Sequence, residues 1–464
     1  MIDLKNIEGL YFIGIGGIGM SALALYFMYG GYNVAGYDRT SSPVTGMLSG
    51  NGCEISFTDN AGTIPPFFRD PLTREKILII YTPAIPAENR IISFFRSGGY
   101  RLYKRSELLG EISSHTETLA IAGTHGKTTV STMTAHILRQ SHVGCSAFLG
   151  GISKNYNTNL LVGEGKYTVM EADEFDRSFH RLTPAMAVVT SADADHLDIY
   201  GDHREMIKAY DEFCMKIKPG GRLFLNSAVK NVITVPGHVT SFTYGSAKNA
   251  DYRYSDVRHL REYYTFDLHS PEMKIHKIDF PFPGIINIEN LTAAIAMAIN
   301  CGVSEDEIRK AALLFQGVRR RFDIRINRPG LVYIDDYAHH PEEIRAFILS
   351  VKEYFRGRKI TGIFQPHLYS RTRDHAEGFA RILDQLDRTI LLPVYPAREK
   401  PIPGVSSELI YEMMKSPSKS MMRMEDIPSG LAASELDILL TIGAGDIDTL
   451  VEPIEDLLKR QKVL

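Results

Sequence analysis

One stretch of the sequence combines the residue types that hold the phosphates of a nucleotide. Residues 119–122 form a short apolar run that is typical of a buried strand. The flexible turn 123–126 follows, and Lys127 opens a segment of helix formers. In such a unit, backbone N–H groups at the helix start face an anion and a lysine neutralises it. We therefore expect a phosphate site here, with the Thr128 hydroxyl placed to reach a metal ion.

The spacing of this loop departs from the strict G-x-x-x-x-G-K-[ST] pattern. Ile121 stands where the first glycine of that pattern belongs, so the loop reads G-x-x-G-K-T. A shortened pattern is weaker evidence by itself. An ordinary strand-to-helix turn is the alternative interpretation.

A second glycine-rich loop lies near the start of the chain. Gly14, Gly16 and Gly19 match G-x-G-x-x-G, between a strand-like segment and a helical one. The next strand, residues 33–37, ends at Asp38, about where a dinucleotide fold places its ribose-binding carboxylate. The pattern predicts a phosphate on a helix N-terminus, which a nucleotide-linked substrate satisfies as well as NAD does. A glycine-rich turn packed close to the sheet is the alternative.

Acidic residues follow two apolar strands of the central region. Residues 166–176 are predicted as a strand whose far end carries Glu171 and three further acids, and residues 185–190 lead into the acidic segment 191–198 with His196. Ligands of open parallel sheets bind beyond the carboxyl ends of the strands. Carboxylates beside a phosphate loop suit Mg²⁺. Glu171 is the leading carboxylate, and His196 is a nitrogen ligand or a positioning group.

Composition limits the class of protein. A formal net charge of −3 gives no electrostatic reason to expect a nucleic acid or a membrane as partner. The sequence shows no apolar segment long enough to span a bilayer and no apparent signal peptide. Its four cysteines are far apart, which favours a reduced, cytoplasmic enzyme.

The remaining pattern predicts three α/β domains. Alternation within residues 252–282 indicates antiparallel strands, and 287–300 is an alanine-rich helix. After three consecutive arginines at 319–321, strands and helices alternate again, which predicts a doubly wound unit. We place the domains at 1–113, Rossmann-like; 114–322, with the phosphate loop; and 323–464.

A nucleoside triphosphate plus a phosphorylated substrate explains two phosphate loops better than a single cofactor does. A dehydrogenase leaves the Gly-Lys-Thr segment without a role. A P-loop kinase leaves the first and third domains without one. A regulatory nucleotide-binding protein is a third class, against which the charged strand ends count.

Eight motifs together resemble those of the Mur ligases over nearly the full length of the chain. They are residues 14–20 (GIGGIGM), 123–129 (GTHGKTT), 171–174 (EADE), 193–196 (DADH), 320–322 (RRF), 335–341 (DDYAHHP), 364–367 (FQPH), and 395–397 (YPA) with 401–404 (PIPG). The last motif favours the branch that adds L-alanine over the branch that recycles whole peptides. The shortened loop is this family's own form.

The resemblance implies a role for each domain. The first would hold UDP-N-acetylmuramate, the second ATP and Mg²⁺, and the third would bind L-alanine and close over the ATP. The implied reaction is amide ligation through an acyl phosphate, releasing ADP and phosphate, in peptidoglycan synthesis. An NAD-dependent oxidoreductase is the distant alternative. The protein would be a cytoplasmic monomer or homodimer, with no nucleic acid or membrane partner.

The implied site residues fall into overlapping groups. Those for the UDP-sugar are Gly14, Gly16, Gly17, Ile18, Gly19, Asp38 and Thr82. Those for ATP are Gly123, Thr124, His125, Gly126, Lys127, Thr128, Thr129, Asn290 near adenine, Asp336 near the ribose and Arg321 near the phosphates. Those for the amino acid are Tyr337, His339 and Arg371. The metal ligands are Thr128, Glu171 and His196, and the catalytic residues are Lys127, Glu171, His196 and Arg321.

The sequence departs from the family pattern at a few positions. Ile286 replaces a histidine before the alanine-rich helix, Leu368 replaces an arginine after Gln-Pro-His, and Ala338 replaces a glycine. Several Mur ligases carry a carbamylated lysine at the metal site. Tyr210 occupies that position here, as in the alanine-adding branch, and Lys208 lies close to it in sequence.

Overall fold

A computed structural model of the chain describes residues 4, 6–83, 85–86, 88–194, 197–260, 263–397 and 399–461, except for the side chains of residues 176, 197 and 198. The chain divides into two compact units. The first comprises Met1–Pro281 with Ile288–Gln316, and the second comprises Phe282–Asn287 with Gly317–Leu464. Three β-sheets organise them, two in the first unit and one in the second.

The first sheet is a five-stranded parallel sheet in the order β3-β2-β1-β4-β5. Its strands are β1 (Gly9–Ile13), β2 (Asn33–Tyr37), β3 (Glu54–Ser56), β4 (Ile77–Tyr81) and β5 (Leu102–Lys104). The helices of this region are α1 (Ile18–Tyr29), α2 (Pro43–Gly50), α3 (Pro66–Arg69), α4 (Arg90–Ser97) and α5 (Arg105–Ser114). Every residue of β1 is buried, as expected for a central strand covered on both faces.

The second sheet has ten strands in the order β15-β14-β13-β12-β11-β10-β6-β9-β7-β8. They are β6 (Glu117–Ala122), β7 (Ser146–Ser153), β8 (Thr158–Leu161), β9 (Tyr167–Glu171), β10 (Met186–Val189), β11 (Arg222–Asn226), β12 (Thr240–Gly245), β13 (Tyr252–Leu260), β14 (Tyr263–His269) and β15 (Lys274–Phe280). The helices are α6 (Lys127–Arg139), α7 (Leu197–Tyr200), α8 (His203–Cys214), α9 (Ile285–Asn300) and α10 (Glu305–Leu314). Strands β13, β14 and β15 pair antiparallel, which confirms the expectation for residues 252–282.

The third sheet has six strands in the order β16-β17-β21-β18-β19-β20, and only the β16–β17 pair is antiparallel. They are β16 (Asp323–Arg328), β17 (Leu331–Asp336), β18 (Ile360–Phe364), β19 (Arg388–Leu391), β20 (Lys419–Met421) and β21 (Ile438–Ile442). The helices are α11 (Pro341–Tyr354), α12 (Tyr369–Leu383), α13 (Ser407–Met413), α14 (Ile427–Gly430) and α15 (Val451–Arg460). Short 3₁₀ helices elsewhere in the chain are Ala61–Thr63, Pro71–Lys76, Phe175–Arg181, Met424–Asp426, Ala433–Glu435 and Asp446–Leu450.

The predicted α/β class is confirmed, and the predicted end of one strand was wrong for an identifiable reason. The strand predicted over 166–176 ends at Glu171, because the Asp173 carboxylate accepts the N–H of Phe175 and turns the chain into a 3₁₀ helix. Helix α4 begins at Arg90 because the Asn89 side chain caps it by accepting the N–H of Ile92. The domain boundaries at 113 and 322 stay predictions.

In the part of the chain that the structure describes, no helix combines the length and the apolar character needed to cross a bilayer. All four cysteines are free thiols, three of them buried.

Helix α6 is anchored in the core by a buried histidine. The Nε2–H of His136 donates to the carbonyl of Ala311 in α10, and the hydroxyl of Tyr156 donates to Nδ1, both at 3.0 Å. In the neutral ring, Nε2 carries the proton that the carbonyl accepts and Nδ1 accepts the Tyr156 hydroxyl. Burial lowers the pKa of His136 to about 4, against the opposing effect of the Ala311 carbonyl.

We expect His136 to make the protein acid-sensitive. The unfolded chain binds a proton near pH 6.5 and the folded one only near pH 4, so stability falls as pH decreases between these values, by about 3 kcal/mol for this group. Urea denaturation of wild type and His136→Gln at pH 7 and pH 4.5 measures the difference. The variant should lose less stability on acidification. His115→Gln, at a largely exposed histidine, is the control; equal slopes for wild type and His136→Gln would contradict the assignment.

Candidate functional site

The loop between β6 and α6 has a backbone that only glycine adopts easily. Gly123 has φ +129° and Gly126, the N-cap of α6, has φ +81°. A Cβ at Gly123 would overlap the Thr190 hydroxyl, and one at Gly126 would lie 2.9 Å from Asn290 Oδ1. The structure therefore places the predicted adenine-contacting residue, Asn290, beside the phosphate loop.

The segment after β10 holds this loop in place. The Thr124 N–H donates to the Ser191 carbonyl at 3.3 Å, and the His125 N–H donates to Ser191 Oγ at 2.8 Å. The Thr124 hydroxyl donates to the Asp193 carbonyl at 2.9 Å. Since β10 and β6 are parallel neighbours, their ends meet at one sheet edge. The loop is thus shaped before any ligand enters.

The Lys127 side chain folds back across the loop. Its ammonium donates to the carbonyls of Gly123 at 2.7 Å and Thr124 at 3.3 Å, and pairs with Glu174 Oε1 at 2.9 Å. Burial by itself lowers the pKa of Lys127, but the carboxylates of Glu174, Asp173 and Glu171 more than offset that and raise it. The ammonium therefore stays charged at neutral pH, as a phosphate site requires.

Glu174 is the acidic partner of Lys127, and the sequence alone assigned no role to it. Its side chain is 1% exposed, and burial raises the pKa of its carboxyl to about 7 against the lowering effect of Lys127. The Tyr200 hydroxyl donates to its backbone carbonyl and fixes this position. In the sequence, the only feature that pointed to Glu174 was its place in an acidic cluster that follows a strand.

Glu171 and Thr128 lie on the two elements that border the loop. Strand β9 pairs with β6 so that Glu171 stands opposite Ile121, directly before the loop, and Thr128 is in the first turn of α6. Gly150 of β7 leaves room for the Glu171 carboxylate, which a Cβ there would overlap. His196 falls outside the described residues, within which no group of three or more His, Cys, Asp or Glu side chains is arranged to hold a metal.

The first glycine loop brings its predicted residues together. The Gly16 N–H donates to Asp38 Oδ2 at 2.8 Å, and a Cβ at Gly14, whose φ is +87°, would lie 2.6 Å from the Thr82 methyl. Gly17 caps α1, so Ile18 and Gly19 form its first turn. Asp38 therefore shapes the loop through its backbone, and its carboxylate also accepts from Thr40 N.

In the second unit, Asp336 organises the segment that carries Arg321. Its two oxygens accept the N–H groups of Phe322 at 2.6 Å and Ala338 at 2.8 Å, and burial raises its pKa to about 6, opposed by Arg321. The guanidinium carbons of Arg320 and Arg321 lie 5.2 and 5.0 Å from the Tyr337 ring centre. Each Asp336 oxygen accepts one of these two N–H groups, and each can accept a further hydrogen bond.

The remaining predicted residues of this unit form a cluster around His367. The rings of His339 and His367 lie 5.9 Å apart, and Arg371 Nη1 is 3.5 Å from His367 Nδ1. Burial lowers the pKa of His339, with Glu343 opposing. Leu368 adopts φ +68°, an uncommon backbone for a bulky residue at the start of α12. The predicted amino-acid residues Tyr337, His339 and Arg371 thus converge.

Three family models match successive parts of the chain. The model described as Mur ligase family, catalytic domain, matches residues 9–117; the Mur ligase middle domain matches 121–298; and the Mur ligase, glutamate ligase domain, matches 320–447. Together they span most of the sequence.

Full-length relatives and solved structures agree with these matches. A UDP-N-acetylmuramate–L-alanine ligase from Parabacteroides distasonis is 46% identical over 461 residues, covering 99% of each chain. The structure of a UDP-N-acetylmuramate-alanine ligase from Thermotoga maritima has a TM-score of 0.82 at 26% identity, covering 97% of this chain and 98% of that one. A murein peptide ligase from Psychrobacter arcticus shares the fold, with a TM-score of 0.71 at 20% identity over 98% and 100% of the chains.

The Lys127–Glu174 pair, with side chains 13% and 1% exposed, leads to unequal expected effects of its two substitutions on stability. Lys127→Met leaves a carboxylate buried without its cation and should cost about 3 kcal/mol, whereas Glu174→Gln leaves the ammonium its two carbonyls and should cost about 1 kcal/mol. The double variant should be more stable than Lys127→Met alone. Urea denaturation measures the free energy of unfolding of all three variants. Lys208→Met, which removes the cation of the exposed Lys208–Glu205 pair, is the control. Additive effects in the double variant would contradict this account.

Proposed function

This chain belongs to the Mur ligase family, and we propose that it joins L-alanine to the carboxylate of UDP-N-acetylmuramate at the expense of ATP, in peptidoglycan synthesis. The observation that carries this function is the 46% identity to a ligase of that name over 99% of both chains. The glycine loop and Lys127, whose side chain is 13% exposed, would supply the phosphate site that ATP needs.

The chemistry begins with a carboxylate that is a poor electrophile, because its oxygen is a strongly basic leaving group. Transfer of the γ-phosphoryl group of ATP to that carboxylate gives an acyl phosphate and ADP. The neutral alanine amine attacks the acyl carbon, and phosphate leaves with the electron pair of the broken C–O bond. The nitrogen then releases a proton to solvent and the amide is complete. Enzymes contribute to phosphoryl transfer mostly by positioning and by stabilising charge.

The central loop has the groups for that task. Backbone N–H groups at the start of α6 face an anion, and the Lys127 ammonium lies across the loop. Glu174 and the carbonyls of Gly123 and Thr124 hold that ammonium near the loop, and a phosphate oxygen would replace one of these three acceptors. A positive charge held at this place stabilises the charge that moves with the phosphoryl group.

Mg²⁺ fits the donor set that borders this loop. The Thr128 hydroxyl and the Glu171 carboxylate are hard oxygen donors, and Mg²⁺ commonly takes one or two carboxylates plus phosphate oxygens. When bound, the ion neutralises phosphate charge. Thr128 and Glu171 would hold it, and His196 stays a predicted ligand.

The other two groups of residues match the other two substrates. The first turn of α1 and the Gly14–Gly19 loop would hold the diphosphate of the UDP-sugar. Arg371 would pair with the alanine carboxylate, beside Tyr337 and His339. Arg321 and Asp336 stay predicted ATP-binding residues. Cytoplasmic location, monomer or homodimer state and closure of the third domain also stay predictions.

We expect ADP release to depend on all three substrates. With ATP, Mg²⁺ and UDP-N-acetylmuramate, coupled-enzyme detection should show turnover with L-alanine, less with glycine or L-serine, and none with the L-alanyl-γ-D-glutamyl-meso-diaminopimelate tripeptide. Chelation of Mg²⁺ with EDTA should abolish it. Turnover that ignores alanine, or that needs NAD, would overturn the proposed function, and preference for the tripeptide would favour peptide recycling.

Removal of Lys127 should separate the two phosphate sites. Lys127→Ala should lower the rate of ADP formation at least about 100-fold, because it removes a preorganised charge. UDP binding, measured by calorimetry, should survive because that loop lies on another sheet. The double variant Lys127→Ala with Glu174→Gln is the control, because it also removes the buried carboxylate that Lys127→Ala leaves without the ammonium. Loss of UDP binding in a folded variant would mean that the sites are not separate.

A further inference from the structure

Arg105 lies where two helix N-termini meet. It is the first residue of α5, which follows β5 directly, and its side chain packs against Gly19 in the first turn of α1. A Cβ at Gly19 would overlap the Arg105 guanidinium and would lie 3.3 Å from its Cδ. Gly19, the third glycine of the G-x-G-x-x-G pattern, therefore leaves room for this arginine beside the glycine loop.

The position is electrostatically unusual for a cation. A helix N-terminus carries a partial positive charge, so acids are favoured there and an arginine is not. Both α1 and α5 are long enough to have such an end, with 12 and 10 residues. The start of α5 already carries the Glu107 carboxylate, which accepts the N–H of Lys104 at 2.8 Å. The start of α1 carries no acid in its first turn, and together with the Arg105 guanidinium it favours a ligand with more than one negative charge.

The ion pair between Arg105 and Asp173 is long and partly exposed to solvent. Arg105 Nη2 lies 3.4 Å from Asp173 Oδ2, and the two side chains are 25% and 37% exposed. An ion pair so open to solvent contributes little, typically less than about 1 kcal/mol.

Arg105 is not needed to hold α1 in place. Asn159 of β8, which is fully buried, donates from its side-chain amide to the Ile18 carbonyl and to the Ser21 hydroxyl. These two bonds already attach the start of α1 to the second sheet. A purely structural role therefore leaves the placement of Arg105 unexplained.

We infer that Arg105 is a substrate-binding residue that clamps the diphosphate of the UDP-sugar against the first turn of α1. The planar guanidinium can offer two parallel N–H donors to phosphate oxygens, which a lysine cannot. This inference rests on the proposed function and assigns a residue to its nucleotide-sugar site.

The carboxylate that pairs with Arg105 belongs to the segment that also holds Lys127. Asp173 is adjacent in sequence to Glu174, which pairs with the ammonium of Lys127. A diphosphate would compete with Asp173 for the guanidinium, so loss of the Asp173 carboxylate should not weaken UDP binding. This distinguishes a ligand-binding arginine from one that only joins two segments.

The test compares UDP binding by calorimetry in four variants of the full chain. Arg105→Ala should weaken UDP binding about tenfold to a hundredfold, as expected for loss of charged hydrogen bonds. Arg105→Lys should fall between it and wild type. Asp173→Asn should bind UDP as tightly as wild type or more tightly. Arg101→Ala, which removes an exposed arginine paired with Glu75, is the control and should bind like wild type.

Steady-state kinetics provide the second readout. In Arg105→Ala, the KM for UDP-N-acetylmuramate should rise by the same factor while the KM for ATP stays within twofold. Equal rises in both constants, or equal loss of UDP affinity in Arg105→Ala and Asp173→Asn, would show a structural role and overturn the inference. If wild type binds UDP and turns over but Arg105→Ala binds UDP equally well, only this inference fails. If wild type does neither, the proposed function fails.

Discussion

The placement of one ammonium group, that of Lys127, determines the arrangement of the central site. It is held by two loop carbonyls and by the buried carboxylate of Glu174. A buried charge is stable only with partners of this kind, because desolvation costs several kcal/mol per ion. The loop must therefore close around the ammonium, which requires positive φ at Gly123 and Gly126. The backbone geometry and the electrostatics of the site are thus one constraint.

Parallel strand pairing explains why the groups around Lys127 meet. Strand β6 lies between β9 and β10, so the residues that follow these three strands share one edge of the sheet. Glu171 enters from β9, and Ser191 enters after β10 to hold the loop. The first sheet repeats the principle, since β1 and β4 place Gly14 beside Thr82. In both cases the sheet supplies rigidity and the loops supply chemistry.

The second unit uses buried acids in a different way. Asp335 is fully buried, pairs with Arg320 at 3.2 Å and accepts the hydroxyl of Thr441, while Asp336 accepts two backbone N–H groups. These contacts hold the chain at Arg320 and Phe322 in a left-handed backbone conformation, with φ +62° and +47°. Such strain persists only where surrounding contacts over-determine it, and it concentrates at functional sites. Here it presents Arg320 and Arg321 to Tyr337.

The sequence by itself determined the alternation of strands and helices, both glycine loops, Lys127 and Glu171, because these depend on local spacing and on residues next to strand ends. The tertiary structure decided which acid pairs with Lys127, since Glu174 is 47 residues away and no spacing rule distinguishes it from Asp173. It also decided that Arg105 reaches Gly19 and that Asp336 binds backbone N–H groups. Contacts between distant segments follow from strand order, and strand order is a property of the folded sheet.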